Sequence, residues 1–136
     1  MKVILCIDNK NGTMFNGRRQ SRDFILCRKT ADIVGKSKLY LKGYSYSLFE
    51  KLNLNIIQDE NFLNVAQKGD FCFVEGDSLV QHINSVEEII LFKWNRDYPS
   101  DVKMDIDLSN GWFLESTEEF AGSSHEKITM ERYERK

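Results

Sequence analysis

Val3-Ile-Leu-Cys-Ile7 is the first apolar run of the chain, and both of its alternating faces are apolar. Two-sided apolarity is typical of a strand that lies inside a parallel sheet and is covered by helices. The run ends at Asp8, and the apolar positions between Phe24 and Val34 then follow a helical period that ends at Gly35. The sequence therefore predicts an opening βα unit whose strand lies in the interior of the sheet.

A basic, glycine-bearing stretch connects this strand to this helix: Asn11-Gly-Thr-Met-Phe-Asn-Gly-Arg-Arg-Gln-Ser-Arg-Asp-Phe-Ile-Leu-Cys-Arg28. Six basic residues and one acidic residue lie in the range 10–29, although the whole chain has a net charge of -2. Positive charge concentrated on such a loop favours a phosphate or carboxylate ligand. Arg18, Arg19 and Arg22 are therefore candidate ligand-binding residues, and solvated arginines that form only surface ion pairs are the alternative.

Strand-like and helix-like runs alternate along the chain as far as Ile83 and then give way to strands alone. The alternating runs are Leu39–Leu41, Tyr44–Leu52, Asn55–Gln58, Asn61–Ala66, Phe71–Val74 and Leu79–Ile83, and the later strand-like runs are Ile89–Trp94, Trp112–Phe120 and Lys127–Glu134. This order predicts one α/β domain over residues 1–136, with three layers. A mostly parallel central sheet is flanked by helices and ends in a C-terminal antiparallel hairpin.

The composition argues against several classes of protein. No run approaches the about 18 apolar residues of a spanning helix, and the first run is too short for a signal peptide, so we expect a cytoplasmic protein without a membrane partner. Cys6, Cys27 and Cys72 have no Cys-x-x-Cys spacing, which predicts three reduced, buried thiols. Only two histidines are present, so we expect no metal site. Nine acidic and five basic residues in the range 101–136 argue against a nucleic-acid partner.

The order of elements, together with several stretches of sequence, resembles the dihydrofolate reductase family over nearly the whole chain. Met1–Gly12 is similar to that family's first strand and the start of its mobile substrate loop, and Lys38–Leu48 is similar to its second strand and the following turn. Gly69–Leu79 resembles the strand that leads into the family's paired-glycine cofactor turn, and Glu88–Asn95 and Ser123–Tyr133 are placed like its late strands. The resemblance implies a dihydrofolate reductase-like fold.

The departures from the family fall mainly where the family does its chemistry. A Pro-Trp loop precedes the family's pterin-binding carboxylate, whereas Gly17–Arg22 fills that space here, which leaves Asp23 as the candidate catalytic counterpart. Tyr44 and Ser45 stand where the family has an Arg and a Thr that hold cofactor phosphates. Glu75-Gly76 replaces the paired glycines, and Phe92 replaces a threonine. The family's cofactor is NADPH. These changes degrade the motifs that bind it, because they remove a hydrogen-bond donor to a phosphate and add a carboxylate.

The resemblance and the basic stretch together predict a cleft at the carboxyl ends of the central strands, lined by 16–23, 43–45 and 75–77. The candidate ligand-binding residues are Asn16, Arg18, Arg19, Arg22, Gly43, Tyr44, Ser45, Glu75, Gly76 and Asp77. Asp23 is a candidate general acid or ligand anchor, and a helix N-cap is the alternative. His125 has no suitably spaced nucleophile in the sequence, so we expect it in a solvent-facing turn.

The function that this pattern favours is the binding of a small anionic or nucleotide-like ligand, without classical folate reduction. Two alternatives stay open. One is a divergent NADPH-dependent reductase, which would be an oxidoreductase related to dihydrofolate reductase. The other is a non-enzymatic module that binds an acidic partner or an RNA phosphate backbone through the arginine loop.

Overall fold

The computed structural model describes residues 1–136 and contains ten strands and four helical segments. The strands are β1 (Lys2–Ile7), β2 (Gly12–Phe15), β3 (Arg18–Arg19), β4 (Lys38–Leu41), β5 (Asn55–Gln58), β6 (Phe71–Phe73), β7 (Glu88–Lys93), β8 (Val102–Lys103), β9 (Trp112–Phe120) and β10 (Ile128–Arg135). The helices are α1 (Phe24–Val34), α2 (Gly43–Tyr46) and α3 (Phe62–Val65), and a 3-10 helix spans Val80–Ser85.

Seven strands form the main sheet in the order β5-β4-β6-β1-β7-β10-β9. Strand β1 pairs in parallel with β6 on one side and with β7 on the other, and β4 pairs in parallel with β5 and β6. Strand β10 is antiparallel to both β7 and β9. The interior position of the first strand, the mostly parallel sheet and the C-terminal antiparallel hairpin are therefore confirmed.

Two buried clusters of side chains cover the two faces of this sheet. Alternate residues of β1 point to opposite faces, as the pleat of a strand requires. Val3, Leu5 and Ile7 join one cluster, and Ile4 joins the other, which also holds the buried face of α1. Helix α1 ends at Gly35, whose backbone N–H donates to the carbonyl of Ala31. The two-sided apolarity of the first strand thus reflects burial on both faces.

The basic stretch contains a short hairpin where the sequence predicts only a loop. Strands β2 and β3 are antiparallel, and β2 also pairs with β8, so that a second sheet of three strands forms in the order β3-β2-β8. Asn16 and Gly17 form the turn with φ values of 52° and 73°. Asn-Gly suits such a turn because both residues tolerate positive φ. The hairpin orders the region that carries Arg18 and Arg19.

Two predicted helices are shorter and tighter than the sequence indicates. The run Tyr44–Leu52 holds the end of α2, and beyond it Leu48, Phe49 and Leu52 donate backbone hydrogen bonds to carbonyls three residues earlier, which is the pattern of successive tight turns. The run Leu79–Ile83 overlaps the 3-10 helix. Short segments cannot form stable α-helices alone, so packing decides their geometry.

The cysteines form no disulfide. Cys27 and Cys72 are buried, as predicted, whereas Cys6 is only partly buried. Burial raises the pKa of Cys27 to about 11 and that of Cys72 to about 12. None of the helices combines the length and the apolar character that crossing a membrane would require.

We predict that Ile4→Ala, in the middle of β1, lowers the free energy of unfolding by about 2 to 5 kcal/mol, and that Ile4→Val lowers it by about 0.5 to 1.5 kcal/mol. Ile4 is fully buried, so truncation leaves a cavity inside the sheet. Urea denaturation measures both effects. Ser116→Ala on the exposed strand β9 is the control and changes the value by about 0.5 kcal/mol or less. Equal effects of Ile4→Ala and this control would contradict a central position of β1.

Candidate functional site

Three connections that the sequence separates meet at the carboxyl ends of β1, β4 and β6. The Arg19 guanidinium donates from Nε to Glu75 Oε2 at 2.8 Å and from Nη2 to Glu75 Oε1 at 2.9 Å. The same Nη2 donates to the Tyr44 carbonyl at 3.0 Å, and the Arg19 backbone N–H donates to the Tyr44 hydroxyl at 3.0 Å. One residue from each of the predicted stretches 16–23, 43–45 and 75–77 thus takes part in a shared contact, namely Arg19, Tyr44 and Glu75.

The Arg19–Glu75 pair forms one wall of the resulting cleft. Ser45 Oγ donates to Glu75 Oε1 at 2.8 Å, and the Arg19 guanidinium lies 4.4 Å from the centre of the Tyr44 ring. The hydrogen bonds to Glu75 raise the pKa of Arg19. A bidentate pair of this kind uses two of the five donors of the guanidinium and neutralises its charge. The charge of Arg19 is therefore already neutralised by Glu75, and its role in the cleft wall is structural.

Arg18 and Arg22 differ from Arg19, because neither forms an ion pair and both are exposed. Arg18 follows the hairpin turn and borders an open depression together with Asn16, Gln20 and Tyr98. Arg22 lines the cleft itself. Asn16 is held by its backbone N–H, which donates to Asp101 Oδ2 at 3.0 Å. Two of the three predicted arginines thus present unpaired charge near the mouth of the cleft.

Asp23 is almost completely buried, with 2% of its surface exposed, and it caps helix α1. Its Oδ1 accepts hydrogen bonds from the backbone N–H groups of Ile25, Leu26 and Ser123, and its Oδ2 accepts one from the N–H of Ser124. The N-cap role is therefore confirmed. The turn between β9 and β10 supplies the remaining donors, which the sequence alone could not locate.

Close approach of this turn to Asp23 requires a glycine at position 122. A Cβ atom on Gly122 would overlap Asp23 Oδ2. Burial alone raises the pKa of the Asp23 carboxyl, but the hydrogen bonds from Ser124, Ser123, His125 and Leu26 outweigh burial and hold the pKa well below its usual range. Asp23 is consequently an ionised carboxylate, not the general acid that desolvation alone would produce.

His125 is buried, with 5% of its surface exposed, and the prediction of a solvent-facing turn is wrong. Its ring stacks on Trp94 at 4.5 Å between centres, and its Nδ1 lies 3.2 Å from Asp23 Oδ2. Its Nε2 lies 3.2 Å from Ser21 Oγ and 2.9 Å from the Tyr98 hydroxyl. The ring is buried because the β9–β10 turn folds back onto Asp23 and carries the histidine with it.

The partners of His125 set the tautomer of its neutral imidazole. The ionised Asp23 has only acceptors, so Nδ1 of that form carries the proton and donates to Oδ2. Nε2 then offers a single lone pair, which the hydroxyls of Tyr98, at 2.9 Å, and Ser21, at 3.2 Å, share as a hydrogen-bond acceptor. An imidazole in this state accepts a proton at Nε2, on the side where Ser21 lies. No local pattern signals this contact, because Ser21 and His125 are 104 positions apart.

Asp8, at the end of β1, holds two further residues of the site. Its Oδ2 accepts from Gln20 Nε2 at 3.0 Å and from the Tyr98 backbone N–H at 3.2 Å. The other amide atom of Gln20, Oε1, is shielded from solvent and has no hydrogen-bond partner in the protein. Gln20 lines the cleft, and this oxygen becomes an acceptor for a ligand when the side chain turns to expose it. No local sequence pattern points to Asp8 or Gln20 as individual site residues.

The cleft between these residues is narrow. The cavity volume is about 20 Å³, which is enough for about one water molecule. Its walls include Ser21, Arg22 and Asp23 on one side and Phe73 and Glu75 on the other. A larger ligand must use the open depression beside Arg18 or displace part of the wall.

A solved dihydrofolate reductase from Enterococcus faecalis, in complex with NADP(H) and RAB-propyl, superposes on this chain with a TM-score of 0.69. The match covers 98% of this chain and 95% of the reductase, at 14% sequence identity. The chain has the dihydrofolate reductase fold. No family model matches the chain, and no curated protein sequence matches it. The predicted fold is confirmed, while an identity this low carries the architecture alone.

The residues of this dihydrofolate reductase-fold chain do not fit a pyridine dinucleotide at the turns after β4 and β6. The Glu75 carboxylate is fixed at the second turn, and Asp77 beside it pairs with Lys42 at 3.1 Å. Met14 occupies the space over Gly76, since a Cβ atom there would lie 2.8 Å from Met14 Cγ. A pyrophosphate at this turn would meet two carboxylates, each paired with a cation of the protein, and a thioether.

The remaining glycine of the predicted cleft, Gly43, is also engaged. Its backbone N–H donates to Glu60 Oε2 at 2.9 Å, and a Cβ atom would lie 3.0 Å from Gln58 Nε2. The turn after β4 therefore offers a ligand the Tyr44 ring, which is exposed, more readily than backbone donors.

We predict that Asp23→Asn lowers the free energy of unfolding at pH 7 by about 1 to 3 kcal/mol, because an amide places N–H donors against N–H donors. The folded pKa of Asp23 lies below its unfolded value of about 3.9, so its stabilisation is complete above about pH 5 and is lost as the pH falls. The difference between the two proteins should therefore shrink from about pH 5 to about pH 2. Urea denaturation at several pH values measures it.

Asp32→Asn on the exposed side of α1 is the matched control and leaves both the stability and its pH dependence unchanged. A difference between Asp23→Asn and the unmodified protein that stays constant over this pH range would show that the charge of Asp23 is not what stabilises the turn.

Proposed function

We propose that the protein binds a small anionic ligand, a compound with a phosphate or carboxylate group, at the mouth of the cleft, and that it does not carry out classical folate reduction. The observation that carries this proposal is the contrast among the cations. Arg19 and Lys42 are paired with Glu75 and Asp77, whereas Arg18 and Arg22 have no carboxylate partner. Unpaired guanidinium groups beside a concave surface favour an anion with several oxygen acceptors.

The Gln20 amide supports a second property of the ligand. Its Oε1 is an acceptor without a protein partner, and Gln20 lines the cleft together with Arg22. A buried acceptor left unpaired costs about 1 to 3 kcal/mol, so a ligand that donates a hydrogen bond to it gains affinity. We therefore propose a ligand with a hydroxyl or N–H group close to its anionic group.

The charge pattern of the cleft also separates this proposal from a pyridine-nucleotide reductase. Glu75 and Asp77 lie at the turn where the family holds cofactor phosphates, and Met14 fills the space over Gly76. A ligand of small size avoids these groups, because the unpaired arginines are on the opposite connection, in the stretch 16–23.

We predict that inorganic pyrophosphate raises the Tm of the protein. In a separate measurement at the same concentration, NADPH should not raise the Tm by more than pyrophosphate does. A ligand present at about ten times its Kd stabilises the native state by about 1.4 kcal/mol, which corresponds to about 5 °C for a domain of this size. In the double variant Arg18→Gln, Arg22→Gln the shift with pyrophosphate should disappear. Differential scanning fluorimetry at constant ionic strength measures both proteins.

Lys36→Gln removes one exposed positive charge just after α1 and is the matched control, which should keep the full shift. An equal shift in the double variant would refute the anion site. A larger shift with NADPH than with pyrophosphate would favour the reductase alternative instead.

We also predict that Glu75→Gln strengthens pyrophosphate binding about fivefold. The change releases the Arg19 guanidinium from its bidentate partner and so adds a third cation to the site. The binding free energy of pyrophosphate should then be more favourable by about 1 kcal/mol. Isothermal titration calorimetry measures the Kd. Ser45→Ala, which removes one hydrogen bond to Glu75 but keeps its charge, should leave the Kd unchanged. Weaker binding in Glu75→Gln would show that the ligand needs the intact Arg19–Glu75 wall.

A further inference from the structure

Ser21, His125 and Asp23 form a chain of contacts that the proposed anion site does not use. Ser21 Oγ lies 3.2 Å from His125 Nε2, and His125 Nδ1 lies 3.2 Å from Asp23 Oδ2. A hydroxyl, an imidazole that accepts from it, and a carboxylate that orients the imidazole are the three parts of an activated serine nucleophile. We propose that Ser21 is the nucleophile of a hydrolytic site for esters and that His125 is its general base.

The environment of each group fits its role. Ser21 is partly exposed and lines the cleft, and His125 and Asp23 are both buried, although Asp23 also borders the cleft. Asp23 holds its charge through four backbone N–H donors, so it orients the ring and stabilises the imidazolium without taking its proton. Stacking on Trp94 fixes the plane of the ring. The Tyr98 hydroxyl, 2.9 Å from Nε2, approaches the same nitrogen from the side of the open depression and shares its lone pair with Ser21.

Other nucleophiles on the cleft wall are less suitable than Ser21. Burial raises the pKa of the Cys6 thiol well above its usual range and that of the Cys27 thiol to about 11, so both are protonated at neutral pH. Thr13 Oγ1 donates to the Val102 carbonyl and has no base beside it. Among the hydroxyls and thiols that line the cleft, Ser21 alone contacts a base.

The reaction is a double displacement in which water is the second substrate. Ser21 Oγ bonds to the ester carbonyl carbon while its proton moves to His125 Nε2, and the carbonyl electron pair moves onto oxygen. That pair returns, the bond to the alcohol oxygen breaks, and the alcohol leaves with the proton from Nε2. Water then attacks the acyl group on Ser21, gives its proton to Nε2, and releases the acid as Ser21 recovers that proton.

The substrate class follows from the unpaired charge beside Ser21, and this part of the inference rests on the proposed function. Arg22 is adjacent to Ser21 in the chain and lines the same cleft without a carboxylate partner. The structure thus favours an ester of a small acid that carries a second, free anionic group. The assignment of the nucleophile does not depend on that group, and a neutral probe tests it separately.

The first test is covalent labelling of the full chain with a fluorophosphonate, which loses fluoride when a serine oxygen attacks phosphorus. We expect one adduct per chain by intact mass and its location on Ser21 by peptide mapping. Labelling should vanish in Ser21→Ala and fall about 100-fold in rate in His125→Gln, as expected for loss of a general base. Ser116→Ala is the control and labels at the unmodified rate. An adduct on another residue, or none, would overturn the proposal.

A second variant keeps the test valid if His125→Gln does not fold. Ser21→Cys changes a partly exposed side chain, and its thiol should react with iodoacetamide at least tenfold faster than the thiol of Ser116→Cys, which is exposed on β9. An equal rate for these two thiols would overturn the proposal, because it would show that no base activates position 21.

The third test compares two esters, neutral 4-nitrophenyl acetate and 4-nitrophenyl hemisuccinate, which carries a free carboxylate. Ser21→Ala should abolish the enzymatic hydrolysis of both, and undiminished hydrolysis in that variant would refute the nucleophile. The double variant Arg18→Gln, Arg22→Gln should slow the hydrolysis of the hemisuccinate about tenfold more than that of the acetate. A hemisuccinate rate that is unchanged, or that falls by the same factor as the acetate rate, would refute the anionic substrate class while the nucleophile stands.

Discussion

The buried carboxylate of Asp23 is the interaction on which the candidate site depends. It satisfies two backbone N–H groups at the start of α1 and two in the turn between β9 and β10, and so fastens the last hairpin to the first helix. A carboxylate this deeply buried is stable only because donors surround it. Asp23 Oδ2 accepts a hydrogen bond from the backbone N–H of Ser124 and also contacts Nδ1 of His125. One carboxylate oxygen therefore both supports the turn and orients the imidazole.

The second feature is that the dihydrofolate reductase architecture is retained while the charges of its cleft are rearranged. Glu75 and Asp77 stand at the turn after β6, and each is paired with a cation from another connection, Arg19 or Lys42. These pairs hold the three connections together as structural elements. The hydroxyl, imidazole and unpaired arginine groups are concentrated on the other side, between residues 18 and 23 and the β9–β10 turn. The proposed anion site and the proposed nucleophile both lie on that side.

Local patterns predict most of the fold, because they report on burial and on helix termination. The two apolar faces of the first strand placed it inside the sheet, and the Asp23 cap and Gly35 bounded α1. The site required distant contacts that no local pattern encodes. Arg19 contacts Glu75, which lies 56 positions away in the sequence, and Ser21 contacts His125, which lies 104 positions away. The sequence therefore shows three arginines, but it does not show which of them is neutralised by a carboxylate. The buried state of His125 was missed for the same reason.

The separation of Asp23 and His125 by 102 positions also bears on how the protein is made. During synthesis the segment that holds Asp23 is made about a hundred residues before His125, so the contact between the two can form only after the β9–β10 turn has been translated. Until then the Asp23 carboxylate lacks the donors of Ser123, Ser124 and His125. The β9–β10 hairpin therefore completes both the cover of this carboxylate and the proposed site.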